Sequence, residues 1–139
     1  MATEENKAVV RNWVAEVING HDSAAVARFF APDIVSHQAG GTVVRGIAAW
    51  QALVTEYLTA FSDYRSTVES IIGEREMFAL RWTATGTQTG PFRGIAPTGE
   101  AVSIQGLEMD RVVDGKVVET WSEFDWHGVL HQLGRGMVG

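Results

Sequence analysis

The chain has no cysteine. Disulfide staples and thiolate chemistry are thereby excluded, and a cytoplasmic location is the natural expectation. It also lacks any run of about 18 apolar residues, so no membrane-spanning helix is expected. Basic residues are scarce: 11 Lys and Arg stand against 17 Asp and Glu, and no basic cluster occurs. The net charge of −6 argues against a nucleic-acid partner. The opening stretch, Met1 to Lys7, is polar and acidic, unlike a secretory signal or a transit peptide. Internal repeats, low-complexity tracts and linkers are missing as well. What is present is a hydrophobic fraction of 45% over 139 residues, enough for one domain, 1–139, with a packed core. Five tryptophans suit either an aromatic-lined cavity or plain core filling.

The first half of the chain has helical periodicity. Val10, Trp13, Val14, Val17 and Ile18 share one face of a helix predicted from about Thr3 to Ile18 and ended by Asn19-Gly20. Asp22 or Ser23 is placed to cap a second, short helix with Val26, Phe29 and Phe30 inside, stopped by Pro32. A short strand from Ile34 to Gln38 and a Gly40-Gly41 turn follow. Trp50, Leu53, Val54, Tyr57, Leu58 and Phe61 then form one stripe of a third helix, from about Ile47 to Phe61.

From Tyr64 the period changes to two. Strands are predicted over Tyr64–Ile72, Met77–Thr89, Glu100–Val112 and Lys116–Phe124. Val113-Asp114-Gly115 reads as a three-residue hairpin loop, which would set Glu108 opposite Thr120 and Ser122 opposite Gly106. Asp125 stands where an N-cap would start a closing helix carrying Trp126, Val129, Leu130 and Leu133. The tail from Gly134 to Gly139 is expected to be mobile. Three helices, a mostly antiparallel sheet and a closing helix make an α+β fold. A curved sheet wrapped over helices leaves a cavity between them, a usual place for a small ligand.

The order of elements resembles SnoaL-like polyketide cyclases of the nuclear-transport-factor-2-like superfamily. So do the Gly86-Thr-Gln-Thr-Gly90 run, the Pro97-Thr-Gly99 loop, the Arg111-Val-Val-Asp-Gly-Lys116 hairpin and the closing Trp121…Asp125…Gln132-Leu-Gly134. The resemblance implies a cone-shaped α+β barrel with an interior site, no metal or organic cofactor, and a homodimer or higher oligomer. It implies a small-molecule substrate, aromatic or polyketide, and ring closure by intramolecular aldol condensation. It also places Ser122 and Glu108 where family cyclases carry an Asp and a His, and Gln88 where relatives often carry a His. This chain departs from the pattern at each.

Aldol chemistry needs a base for a C–H flanked by carbonyls and a donor for the oxygen that gains charge. Glu108 shares a strand face with Thr120, Ser122, Val102, Ile104, Val118 and Phe124, and apolar neighbours raise a carboxyl pKa, so Glu108 is the expected base. Asp110 points the same way and is a candidate second carboxylate. Arg81, mid-strand, is expected either to pair with Glu108 or to polarise a substrate carbonyl, and His37 to face the cavity. Asp125 is a candidate acid, with helix capping the better-founded role. Trp50, Tyr57, Trp82 and Trp126 are candidate walls around a planar ligand. Gln105 is expected to point outward, and His127 and His131 to form the polar side of the last helix. Leu107, Met109 and Trp121 would make the convex face apolar enough to pair with a second copy. Three functions fit: a cofactor-free cyclase or hydroxylase-type relative, an epoxide hydrolase built on Glu108, Asp110 and Arg81, and a non-catalytic binding domain.

Overall fold

The computed structural model describes residues 2–134; of the expected mobile tail, residues 135–139 lie outside them. Helix α1 runs Ala2–Trp13, with Glu4 and Glu5 in its first turn and Arg11 in its last, each matched to the sign of the helix end it occupies. It passes directly into a π-helical turn, Val14–Ile18. The sequence pattern does not distinguish that turn from α-helix, because both bury one stripe. Asn19 ends the segment and is pinned by a two-way hydrogen bond with the backbone of Ser66, each 2.8 Å.

A 3₁₀ turn, Ser23–Ala25, leads into the single helical turn α2, Val26–Phe29. Pro32 was expected to end this helix. Instead Phe30 is already extended, and β1 spans Phe30–His37 with Pro32 inside it. The strand tolerates a proline because the ladder breaks there. Phe30 pairs with Val117 and the next pair is Val35 with Glu119, so the intervening residues bulge out of register. After the Gly40-Gly41 turn comes β2, Val43–Arg45, a short strand that the sequence reading did not separate. Helix α3, Ile47–Ala60, buries Trp50, Val54 and Leu58 at four-residue spacing.

The remaining strands are β3 (Arg65–Glu74), β4 (Met77–Thr87), β5 (Ala101–Val113) and β6 (Lys116–Phe124), followed by α4 (Trp126–Gln132). The six strands lie in the order β2-β1-β6-β5-β4-β3; only the β1–β6 pair is parallel. The curved sheet has β2 and β3 as free edges. It is the expected cone of curved α+β sheet, left open rather than closed into a barrel. Alternation along β4 and β5 buries Phe78, Leu80, Trp82, Ala84, Val102, Ile104 and Val112 on the concave side, against α1 and α3.

The β5–β6 hairpin departs from expectation in two compensating ways. The turn has two residues, Asp114 and Gly115, both with positive φ (51° and 76°), and Val113 pairs with Lys116. A bulge then inserts Val118, since Val112 pairs with Val117 but Arg111 pairs with Glu119. Each change slides the register by one residue, so Glu108 faces Ser122, Asp110 faces Thr120 and Gly106 faces Phe124. The expected pairs are corrected by two residues, and every inward residue from Thr120 onward stays inward. Between the bulge and the turn the faces swap: Val117, rather than the expected Val118, is fully buried.

Candidate active site in the cone

The cavity is enclosed on one side by helix and on the other by sheet. The π-turn aims Val14 and Ile18 into it beside Trp13, and α3 contributes Trp50, Leu53, Val54 and Tyr57. A π-turn in a cavity wall is a common functional device, since it offsets the side chains around it. The sheet wall carries most of the polar groups. Glu108 and Ser122 lie opposite each other on β5 and β6, and Gln38 projects from the end of β1. Tyr64, Ser66, Leu80, Trp82, Ile104 and Phe124 complete the lining. The space is narrow, with about 100 Å³ open to the centre of a water-sized sphere.

Glu108 and Asp110 form a buried carboxyl pair. Asp110 is completely buried and receives Trp13 Nε1–H at 3.1 Å and the Thr120 hydroxyl at 2.7 Å. The two carboxyls are close enough to share a hydrogen bond when one of them carries a proton. Burial pushes both carboxyls above the usual range. On Glu108 the Asp110 charge and hydrogen bond push further in the same direction. On Asp110 the bonds from Glu108, Thr120 and Trp13 pull back down. Asp110 thus has two protein donors and Glu108 Oε2 has none, an asymmetry that favours Glu108 as the more readily protonated member of the pair. Glu108 lines the cavity, and its Oε2 is buried without a protein hydrogen-bond partner. Asp110 stands behind Glu108 and does not line the cavity.

Of the expected catalytic set, Glu108 and Ser122 are brought together, and Arg81, His37 and Asp125 are not. Arg81 is exposed on the convex face opposite Leu107 and reaches neither Glu108 nor the cavity, because β4 turns its odd positions outward. His37 also faces outward. Ser36 and Gln38 take the inward positions, and His37 Nε2 meets Glu119 Oε2 at 2.6 Å while its ring stacks on Trp121 at 5.2 Å. Asp125 accepts the Gly128 N–H at 2.8 Å and caps α4, the role expected of it. Of the proposed walls, Trp50, Tyr57 and Trp82 line the cavity. Trp126 does not: it packs on Phe92 and Phe124, with the Arg93 guanidinium 4.6 Å from its ring centre. Gln88 is fully buried but structural. Its amide donates to the carbonyls of Gly90 and Ile95 and accepts from Thr98, tying down the 90–99 loop. Gln105, His127 and His131 are exposed, as expected.

Sequence reasoning missed Trp13, Gln38 and Ser36 as members of the site. Gln38 donates to the Ser36 hydroxyl beside the cavity, and Ser36 pairs with Thr120 in the β1–β6 ladder. The alternation Ile34, Ser36, Gln38 was available as a signal, but the parallel pairing that brings β1 beside β6 was not.

Comparison with known proteins bears on this arrangement. AclR from Streptomyces galilaeus, named as a proposed hydroxylase, is 37% identical, with 96% of this chain and 98% of AclR covered and a TM-score of 0.84. IdmH from Streptomyces antibioticus, named as a proposed polyketide cyclase, is 30% identical, with 93% and 98% covered and a TM-score of 0.79. An epoxide hydrolase of the LEH-like type from M. tuberculosis shares the fold at 16% identity, with 98% and 94% covered and a TM-score of 0.77. No curated protein matches the chain. The model of the SnoaL-like polyketide cyclase family matches residues 8–133, nearly the whole length, and the chain belongs to that family.

Proposed function

We propose that this protein is a cytoplasmic polyketide-tailoring enzyme that closes a ring by an intramolecular aldol-type reaction, with the Glu108–Asp110 pair moving the proton. The carrying observation is Glu108 lining the cavity with its Oε2 unpartnered, backed by a buried Asp110 that accepts from Trp13 and Thr120. The pair carries one negative charge and one proton. As Glu108 accepts a proton from the substrate C–H, its own proton passes to Asp110. The enolate carbon attacks the acceptor carbonyl, and the pair returns one proton to the new alkoxide. The reaction is a net transfer of a proton from carbon to oxygen, so the pair ends as it began. Ser122 and Gln38 flank Glu108 and are the donors for the enolate oxygen, roles expected earlier of Arg81 and His37. Membership of the cyclase family supports the reaction class.

A second reading draws on the 37% identity to a proposed hydroxylase. It shares the first step and diverges afterwards: dioxygen oxidises the enolate carbon, and an external two-electron reductant takes the second oxygen atom to water. Ring closure adds no oxygen atom to the substrate, whereas hydroxylation adds one. Mass spectrometry of products from a panel of poly-β-carbonyl and polycyclic ketones separates the two. Ring closure predicts a product at the substrate mass, or at that mass less water. Hydroxylation predicts a gain of one oxygen. Binding without any turnover would leave the third reading, a non-catalytic domain. The epoxide-hydrolase reading loses its arginine, since Arg81 lies outside the cone.

A further inference from the structure

Two tight turns of this chain share one backbone shape. In the β5–β6 turn, Asp114 and Gly115 have φ of 51° and 76°. In the loop between β4 and β5, Arg93 and Gly94 have φ of 48° and 80°. Phe92 and Ile95 close this second turn with two backbone hydrogen bonds of 2.9 Å each. Two-residue turns of this kind favour Asn-Gly or Asp-Gly, because Asn and Asp enter the left-handed region at low cost. The first turn follows that preference and the second does not. A left-handed arginine is a local strain, and such strain persists where the side chain has a task.

The Arg93 side chain joins two helices. Its Nη2 donates to the Tyr57 hydroxyl at 3.1 Å, and the guanidinium lies 4.6 Å from the centre of the Trp126 ring. Tyr57 belongs to α3 and lines the cavity, and Trp126 opens α4. Phe92, only 1% exposed, packs between them, its ring centre 5.2 Å from Tyr57 and 5.6 Å from Trp126. Glu56 Oε1, buried without a hydrogen bond, lies 3.9 Å from Arg93 Nε and holds the guanidinium by charge. A rigid planar guanidinium can bond a phenol through its edge while its face lies on an indole; a lysine ammonium has no such face.

We propose that Arg93 is a positioning residue of the active site: it locks Tyr57, a wall of the cavity, to the closing helix through Trp126, and its strained backbone is kept for that purpose. The inference rests on the proposed function for what the cavity does. It concerns the helix wall, whereas the Glu108–Asp110 pair belongs to the sheet.

Arg93→Asn and Arg93→Gln separate the backbone from the side chain. Both lose the guanidinium, but only Asn-Gly is a pair the turn prefers, so Arg93→Asn should melt above Arg93→Gln. Equal or reversed melting points would overturn the strain. The position of Tyr57 is read in the ligand-free protein by NMR of ring-labelled tyrosine. The chain has two tyrosines, and Tyr57→Phe assigns their signals. The Tyr57 ring signals should shift and lose their cross-peaks to Phe92 in both variants, and Arg93→Lys should restore them only in part. A purely structural role ties ring displacement to loss of stability. The proposal instead expects Arg93→Asn, the more stable variant, to displace the ring as far as Arg93→Gln does. A Tyr57 ring unmoved in Arg93→Asn, or displacement that tracks the fall in melting point, would overturn it. With any ketone of the panel that the wild type turns over, Arg93→Asn should raise KM about tenfold, with a smaller effect on kcat. The acidic limb of the pH–rate profile should stay in place, because the carboxyl pair is untouched. An unchanged KM or a moved limb would count against the assignment. Absence of turnover by the wild type would sink the proposed function and leave the melting and NMR tests to decide the role of Arg93.

Discussion

Thr120 donates a 2.7 Å hydrogen bond to Asp110, its direct cross-strand partner. With the 3.1 Å bond from Trp13 on the other carboxyl oxygen, it gives Asp110 two donors that stabilise its charged form against burial. Replacing Thr120 by valine keeps the shape and removes the donor. The Asp110 carboxyl should then rise, so the acidic limb of the pH–rate profile should move to higher pH. The rate at neutral pH should drop by roughly tenfold, less than the ~10²–10⁴ that a general acid–base group itself contributes, because Thr120 acts only through Asp110. A packing defect alone would lower the whole profile without moving its limb.

Glu108→Gln should lower kcat by about a hundredfold or more, because the amide cannot take a proton. The same change should raise stability, and the sign follows from linkage. The Glu108 carboxyl lies well above its unfolded value. Its stabilising contribution is fully present below the unfolded value and is lost as pH rises through the folded value, where burial opposes ionisation. The variant should therefore melt a few degrees above wild type at neutral to alkaline pH, with the gap closing below about pH 4. Thermal melts across that range check it. A wild type more stable than the variant at pH 8 would contradict the assignment.

Gly106→Ala should destabilise the fold by about 1–3 kcal/mol, the usual cost of overpacking. The added methyl has no relief, meeting the Trp82 ring at 2.4 Å and the Glu123 carbonyl oxygen at 2.8 Å. Chemical denaturation measures the loss, and red-shifted tryptophan emission would report the displaced indole.

Asp125→Asn should leave stability and turnover nearly unchanged, because asparagine also accepts the Gly128 N–H. Asp125→Ala should cost about 1 kcal/mol of stability. Loss of turnover in the asparagine variant, with its melting point intact, would move the acid–base role to the strand–helix junction.

The convex face carries Leu107 at 63% exposure and Met109 at 42%, beside Trp121. A homodimer through this face is expected, giving about twice the 15.1 kDa chain mass by light scattering. Leu107→Asp should return it to the monomer. Wild-type protein that stays at the monomer mass at micromolar concentration would refute the assignment.

The long elements were legible in the sequence because burial on one face imposes its own period. The Trp50–Val54–Leu58 stripe marked α3, and the alternation of Val102, Ile104 and Glu108 marked the inner face of β5. Those local patterns also put Glu108, Asp110, Thr120 and Ser122 on one face, and the family motifs fixed the fold around them. Everything that depended on pairing lay outside the sequence. The two-residue turn and the Val118 bulge are each invisible to periodicity, and they cancel in parity, so the inward face was right while the partners were displaced by two. Alternation from the buried Ile34 turns Ser36 and Gln38 inward and His37 out, but only the parallel pairing of β1 with β6 sets Ser36 beside Thr120. The Trp13–Asp110 bond spans 97 residues of chain. Only the closing of α1 onto the sheet creates it, and with it the second donor to Asp110.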